Sequence, residues 1–234
     1  VFNPSGRDKS EEELIFNAEP HREISAALSW LSAEGKDEEQ TDGMVASEAI
    51  RYMEKNKDQP FFLGVGFFRP HTPFVAPKKY FDLYPLEDIP DLVINDNDLE
   101  DAFNHGRRNW HKWVLQNKQW KKVLQGYLAS VAFADAQLGR LLESLEASAY
   151  NKNTIVVLWS DHGMHMGEKE NWEKFTLWEE ATRVPFMIKA PGLTTAGSNT
   201  NQPVSLLDIY PTLVELAGFD VPEHCDGVSI LPLI

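Results

Sequence analysis

Thr154–Lys174 reads TIVVLWSDHGMHMGEKENWEK. Its first six residues, Thr154–Trp159, are β-branched or apolar and carry no charge, the pattern of a strand buried on both faces of a sheet. The run stops at Ser160-Asp161-His162-Gly163. In open α/β sheets ligands bind beyond the carboxyl ends of the strands, so an Asp-His pair there is a site candidate by position as well as chemistry. Consecutive strand side chains point to opposite faces. Asp161 and His162 therefore serve one ion only if the chain leaves strand geometry between them, a turn that Gly163 permits. A carboxylate and an imidazole are ordinary ligands of a divalent cation, and the remaining ligands must come from elsewhere. The same residues also suit a plain strand-end turn, with Asp161 capping the following backbone and His162 in solvent. The polar, Trp-bearing loop that follows, with Glu168, Lys169, Glu170, Glu173 and Lys174, weighs toward function, because long polar loops after buried strands usually carry it.

A second uninterrupted apolar run, Pro60–Phe68 (PFFLGVGFF), is expected to be a second buried strand. It leads into Arg69-Pro70-His71-Thr72-Pro73-Phe74, where two prolines hold the chain extended around His71. His71 alone suits a structural loop position. Two strands ending in histidine-bearing loops on one sheet edge make the stronger signal.

Around these runs the periodicity turns helical. The spacing predicts a short helix near Glu23–Leu31 and a longer one from about Met44 to Asn56, started by Thr41-Asp42-Gly43, with Val45, Ala49, Tyr52 and Met53 on one face. Residues 1–40 are polar and acidic and are expected to form a surface segment. Ala76–Asn104 is loop-rich, a substrate-side lid or a solvated excursion. Arg107–Lys122 gathers Trp110, His111, Trp113 and Trp120 among basic residues, a composition that binds sugars or anions or packs at a helix start. The strongest helix runs from about Trp120 to Glu146, with Leu124, Leu128, Val131, Leu138, Leu142 and Leu145 as its core stripe. Asp135 lies in that stripe and is expected to be a buried, bonded anchor, and Gly139 to mark a close approach. Val184–Ala190 is a further strand, with Pro185 placing it at an edge or a strand start. Ser205–Ala217 is helical with Gly218 as its stop, and the chain closes in an apolar hook, Asp226–Leu233. Strands alternating with helices give an α/β layered fold.

The 234 residues are enough for one large domain or two. No run approaches the roughly 18 apolar residues of a membrane span, and VFNPSGRDKSEEEL at the N-terminus has no signal-peptide core. A formal net charge of −14 argues against nucleic acid as partner and requires a locally positive pocket for any anionic substrate. With Cys225 as its one cysteine, the chain forms no internal disulfide.

The segments RPHTPFVAPKKYFDLYP, GYLASVAFADAQLGRLLESLE, TIVVLWSDHG, GEKENWEK, RVPFMIKAPG and SLLDIYPTLVELAGFDVP resemble, in order and spacing, the type I sulfatases of the alkaline phosphatase superfamily, in the branch of the iduronate-2-sulfatases and choline-sulfatases. The resemblance implies an alkaline phosphatase-like layered fold with a central mixed, mostly parallel sheet between helices. It makes residues 41–234 the middle-to-C-terminal part of the catalytic domain. It implies that Asp161 and His162 coordinate a Ca2+ ion, and that His71 and Lys174 hold the sulfate group and assist the leaving oxygen. A sulfate ester needs its anionic oxygens neutralised and its alcohol protonated as it leaves, tasks that suit a cation, a lysine and a histidine.

Two family motifs are absent. Cys225 lies in CDGVS, and Pro4-Ser5-Gly6-Arg7 lacks the spacing of the C/S-x-P/A-x-R motif that yields formylglycine; no paired Asp-Asp metal motif is present either. The resemblance thus places formylglycine and half of the Ca2+ site in an N-terminal part of the same enzyme, and this chain alone is expected to be inactive. It implies a sulfated saccharide or small alcohol sulfate as substrate, no membrane or nucleic-acid partner, and an extracytoplasmic location. Two other readings stay open: a two-metal phosphodiesterase of the same superfamily, for which His165 and His224 would have to serve, and a non-catalytic sulfatase-like binding protein.

Overall fold

A computed structural model describes residues 16–17, 28–93, 95, 97–101 and 110–234. The chain divides into two compact units: Val1–Asn151 with His165–Glu173, and Lys152–Met164 with Lys174–Ile234.

The first unit is built on a three-stranded mixed sheet. β1 (Phe16–Asn17) runs antiparallel to β2 (Ser29–Ala33), and β2 runs parallel to β3 (Phe74–Pro77), with Trp30 opposite Phe74 and Ala33 opposite Pro77. Parallel neighbours need a long crossover. Here it contains helix α1 (Thr41–Lys55) and the Phe61–Phe68 stretch. α2 (Lys78–Phe81) follows β3 directly, and α3 (Trp110–Gln116) precedes the long α4 (Trp120–Glu146), which packs on α1, α2, β2 and β3.

α4 has the expected bounds, but of its expected core stripe only Leu145 is buried. Val123, Ala129, Ser130, Phe133 and Gln137 are at most 1% exposed, whereas Val131 and Asp135 are exposed. The helix is rotated toward its small residues because they admit the sheet: a Cβ on Gly126 would lie 3.1 Å from the Cβ atoms of both Phe74 and Trp30. Ala76, Tyr80, Phe81, Ala129 and Phe133 then close one core cluster, each large side chain contributing about 1.5–3 kcal/mol by leaving water. Asp135 is therefore no buried anchor, and Gly139, where an added Cβ would meet nothing within 4 Å, marks no close approach. Gln137 is the buried polar group instead, donating to Asp37 Oδ2 at 3.1 Å.

Three further expectations change. Ser29–Ala33 is a strand, not the end of a helix, because its pairing with β3 outweighs local preference; residues 23–27 lie outside the described residues, as do 107 and 108 of the basic cluster. Phe61–Phe68 lies in no ladder, and its residues alternate half-buried and exposed, with Phe62 84% exposed. Among the described residues no strand hydrogen-bonds along it, so it is not the buried strand that its composition suggests. α1 begins at Thr41 without a side-chain cap; its buried face is Asp42, Ala46, Ala49 and Met53, and Tyr52 is exposed.

In the second unit β4 (Val156–Trp159) pairs antiparallel with β5 (Phe186–Lys189), Trp159 opposite Phe186. The strand is where the sequence puts it, yet Val156–Leu158 are half-buried and Trp159 is 48% exposed. A two-stranded ladder gives each strand a single neighbour, so apolar composition does not translate into burial on both faces. The short helix α5 (Glu179–Thr182) precedes β5, and α6 (Ile209–Leu216) stops at Gly218, whose φ of +80° suits a residue without a Cβ. The C-terminal hook is tied to this helix: Val228 N donates to Asp208 Oδ1 at 2.9 Å and Ile230 N to Thr212 Oγ1 at 3.0 Å.

Candidate functional site

Ser160–Gly163 leaves β4 as a tight turn held by main-chain bonds. Ser160 N donates to Pro185 O at 3.3 Å, and Gly163 N donates to Ala181 O at 2.8 Å. Gly163 is required by close approach: a Cβ there would sit 2.0 Å from Glu180 O, and its φ is not positive. The Ser160 hydroxyl donates to His162 O at 2.8 Å, and Asp161 Oδ1 accepts from His162 N at 3.1 Å. That last bond is the capping contact of the plain-turn reading.

The turn aims the two side chains at a common place. His162 Nδ1 lies 2.8 Å from Gly163 O, so that nitrogen carries the ring proton and donates it. Nε2 is left as the acceptor; it is 3.4 Å from Asp161 Oδ2 and takes a hydrogen bond from Lys174 Nζ at 2.5 Å. Three of the four residues singled out in the sequence thus meet within the second unit. Asp161 is the open member, its side chain 81% exposed against 32% for His162. An oxygen and a nitrogen donor 3.4 Å apart can both face one divalent cation, provided that Lys174 turns away from Nε2. They form an incomplete shell, and among the described residues no group of three or more His, Cys, Asp or Glu could hold a metal.

His71 belongs to the first unit. Its backbone N donates to Phe68 O at 2.9 Å, its Nδ1 lies 2.6 Å from Thr72 O and so bears the proton, and its ring stacks 4.8 Å from that of Phe68. Nε2 is thereby the ring's proton-accepting atom, as in His162. Arg69, 8% exposed, closes the turn through Nε to Val75 O at 2.6 Å and Nη1 to His71 O at 3.3 Å.

The loop His165–Glu173 also belongs to the first unit. Lys169 and Glu170 adopt φ of 52° and 51°, an uncommon conformation for residues with a Cβ, and Gly167 has φ of 124°. Lys169 N donates to Asp98 Oδ2 at 2.7 Å, while its ammonium reaches Asp101 Oδ1 at 2.9 Å. The Asp101 hydrogen bond holds the Lys169 ammonium above its ordinary pKa and the Asp101 carboxyl below its own. Trp172, 1% exposed, donates through Nε1 to His111 Nδ1 at 3.3 Å. Asp98 and Asp101 of the 76–104 segment are thus fastened to this loop. Charge pattern alone could not pair these residues, which lie 71 positions apart. His165 is fully buried with Nδ1 3.0 Å from Glu168 O, and His224 is exposed.

A family model described as Sulfatase matches residues 6–219. A protein named Sulfatase from Formosa agariphila is 40% identical over 212 residues, covering 88% of this chain and 42% of that one. Iduronate 2-sulfatase of Mus musculus is 34% identical over 225 residues, covering 79% and 41%. The crystal structure of the phosphonate monoester hydrolase of Agrobacterium radiobacter superposes with a TM-score of 0.71 at 26% identity, over 86% of this chain and 43% of that one. The chain therefore spans less than half the length of these relatives.

Proposed function

This chain belongs to the sulfatase family, and from that premise we propose that it is part of a sulfuric ester hydrolase that releases sulfate from a sulfated saccharide. Asp161 and His162 contribute to a metal site, Ca2+ in our reading, and Lys174 and His71 bind the sulfate group and serve the leaving oxygen. The observation that carries this reading is the convergence of Asp161, His162 and Lys174 on one turn, with Lys174 Nζ 2.5 Å from His162 Nε2 in a contact that a bound ion would replace.

The chemistry assigned to each residue follows from its bonding. The ion, when bound, would neutralise sulfate oxygens. Lys174 carries three N–H donors on a flexible stem, suited to an anionic oxygen that gains charge as the ester bond breaks. His71, with Nδ1–H committed to Thr72 O, exchanges protons through Nε2 alone, which suits an acid–base role at the alcohol oxygen. The formylglycine nucleophile and the Asp-Asp metal motif have no counterpart in these 234 residues, and we assign them to the remainder of the protein, with an extracytoplasmic location. Among the described residues no helix is long and apolar enough to cross a membrane.

A saccharide substrate is favoured by the relative named iduronate 2-sulfatase. The likeness to a phosphonate monoester hydrolase favours a second reading, a phosphorus-centred monoester as substrate. The test is turnover by the full-length protein of sulfated saccharides against 4-nitrophenyl phosphate and a phenylphosphonate monoester. Lys174→Ala should lower sulfatase turnover about 100-fold or more with an unchanged melting temperature. Preference for the phosphorus esters, or full sulfatase activity in Lys174→Ala, would reject the assignment.

A further inference from the structure

The geometry points to Asp42 as a positioning residue for His71, an inference that rests on the role given to His71 above. Asp42 stands in the first turn of α1 and is 1% exposed. Its carboxylate serves main-chain groups 26 and 27 residues away: Oδ1 accepts from Phe68 N at 2.8 Å and Oδ2 accepts from Arg69 N at 2.9 Å. Phe68 and Arg69 both bear on His71, whose ring also bonds to Thr72 O. Phe68 supplies the carbonyl to which His71 N donates and the ring on which the imidazole rests, and Arg69 donates to His71 O. Asp42 thus sets the origin of the turn, Phe68 and Arg69 transmit that position, and the His71 ring follows.

The chemistry of the position selects a carboxylate. Two consecutive backbone N–H groups converge, so two acceptors are needed; an asparagine presents one acceptor and turns an NH2 group against the other N–H. Holding this carboxylate inside the protein is costly: burial pushes the Asp42 carboxyl up, and the two backbone bonds only partly offset it. A helix start that merely needed capping would spend its acidic residue on its own N–H groups, and α1 has no such cap.

The experiment is a double-mutant cycle on kcat for a sulfated monosaccharide that the full-length enzyme turns over, whose alkoxide leaving group needs a proton, with Asp42→Asn, His71→Ala and the double variant. Misplacing a catalytic group by about 1 Å costs on the order of 100-fold, so Asp42→Asn should lower kcat about tenfold or more with KM changed less than about threefold. If Asp42 acts through His71, adding Asp42→Asn to His71→Ala should change kcat by less than about twofold. If thermal melting shows that Asp42→Asn does not fold, Asp42→Glu, which keeps the carboxylate on a stem one methylene longer, goes through the same cycle under the same criteria. Losses that multiply, or a wild-type kcat in the single variant at position 42, would overturn the positioning role and leave His71 its own. A wild-type kcat in His71→Ala would overturn the role of His71 itself, and this inference with it.

Discussion

Replacing Asp37 by alanine is expected to destabilise the first unit by about 4 kcal/mol, summed from the partners it strands. Asp37 is 8% exposed; its Oδ2 accepts from Tyr80 Oη at 2.6 Å and from Gln137 Nε2 at 3.1 Å, and its Oδ1 pairs with Lys79 Nζ at 2.8 Å. Truncation leaves two buried donors, at 7% and 0% exposure, without this acceptor, each costing about 1–3 kcal/mol. Lys79, 62% exposed, returns to water and adds no more than about 1 kcal/mol. The melting temperature should fall by roughly 10 °C. The pH dependence gives an independent check. Burial acts to raise the Asp37 carboxyl, but hydrogen bonds from Lys79, Tyr80 and Gln137 outweigh it and hold the group below the ordinary value. The folded state therefore binds the proton less readily than the unfolded one. The contribution to stability is complete above the unfolded pKa of about 3.9 and drains away as pH falls through the lower folded pKa. Urea unfolding of wild type and Asp37→Ala, at neutral pH and across that acid window, measures both effects. A loss under about 1 kcal/mol at neutral pH, or equal acid slopes in the two proteins, would refute the reasoning.

Asp161→Asn in the full-length protein should weaken Ca2+ binding by about tenfold or more in calorimetry, since a charged oxygen ligand is exchanged for a neutral one; unchanged affinity removes Asp161 from the metal site. Gly163→Ala must displace the Ser160–Gly163 turn, because the new Cβ would fall 2.0 Å from Glu180 O. A stability loss of about 1–3 kcal/mol with reduced turnover is expected, and a neutral outcome in melting and kinetics would contradict it. Lys169→Met should speed amide exchange at Asp98–Asp101, because it removes the ammonium bonds to Asp98 O and Asp101 and leaves the Lys169 N bond to Asp98 Oδ2. Wild-type exchange rates there would show that the ion pairs hold nothing.

Local pattern carries far in this chain, and it fails for identifiable reasons. The uncharged run before Ser160 is a strand because β-branched neighbours suit extended backbone, and Trp120–Glu146 is a helix because strong helix formers fill it and no proline interrupts them. What such patterns cannot weigh is the partner across the chain. In α4 the leucines dominate the apolar pattern, yet Gly126 and Ala129 are the residues that meet the sheet, since only there can helix and strand backbones approach.

The candidate site divides along the same line. Sequence by itself determined the family, the residue types at 71, 161, 162 and 174, and the turn that follows β4, because motifs and chain breaks are properties of neighbouring residues. Tertiary structure decided that Lys174 bonds to His162 Nε2, that Gly163 is demanded by a carbonyl from another segment, and that Asp42 holds the turn bearing His71. Each of those is a contact between segments 12 to 27 residues apart. A hydrogen bond or a van der Waals limit acts only over a few ångströms, so it has no meaning until folding has brought its two ends together.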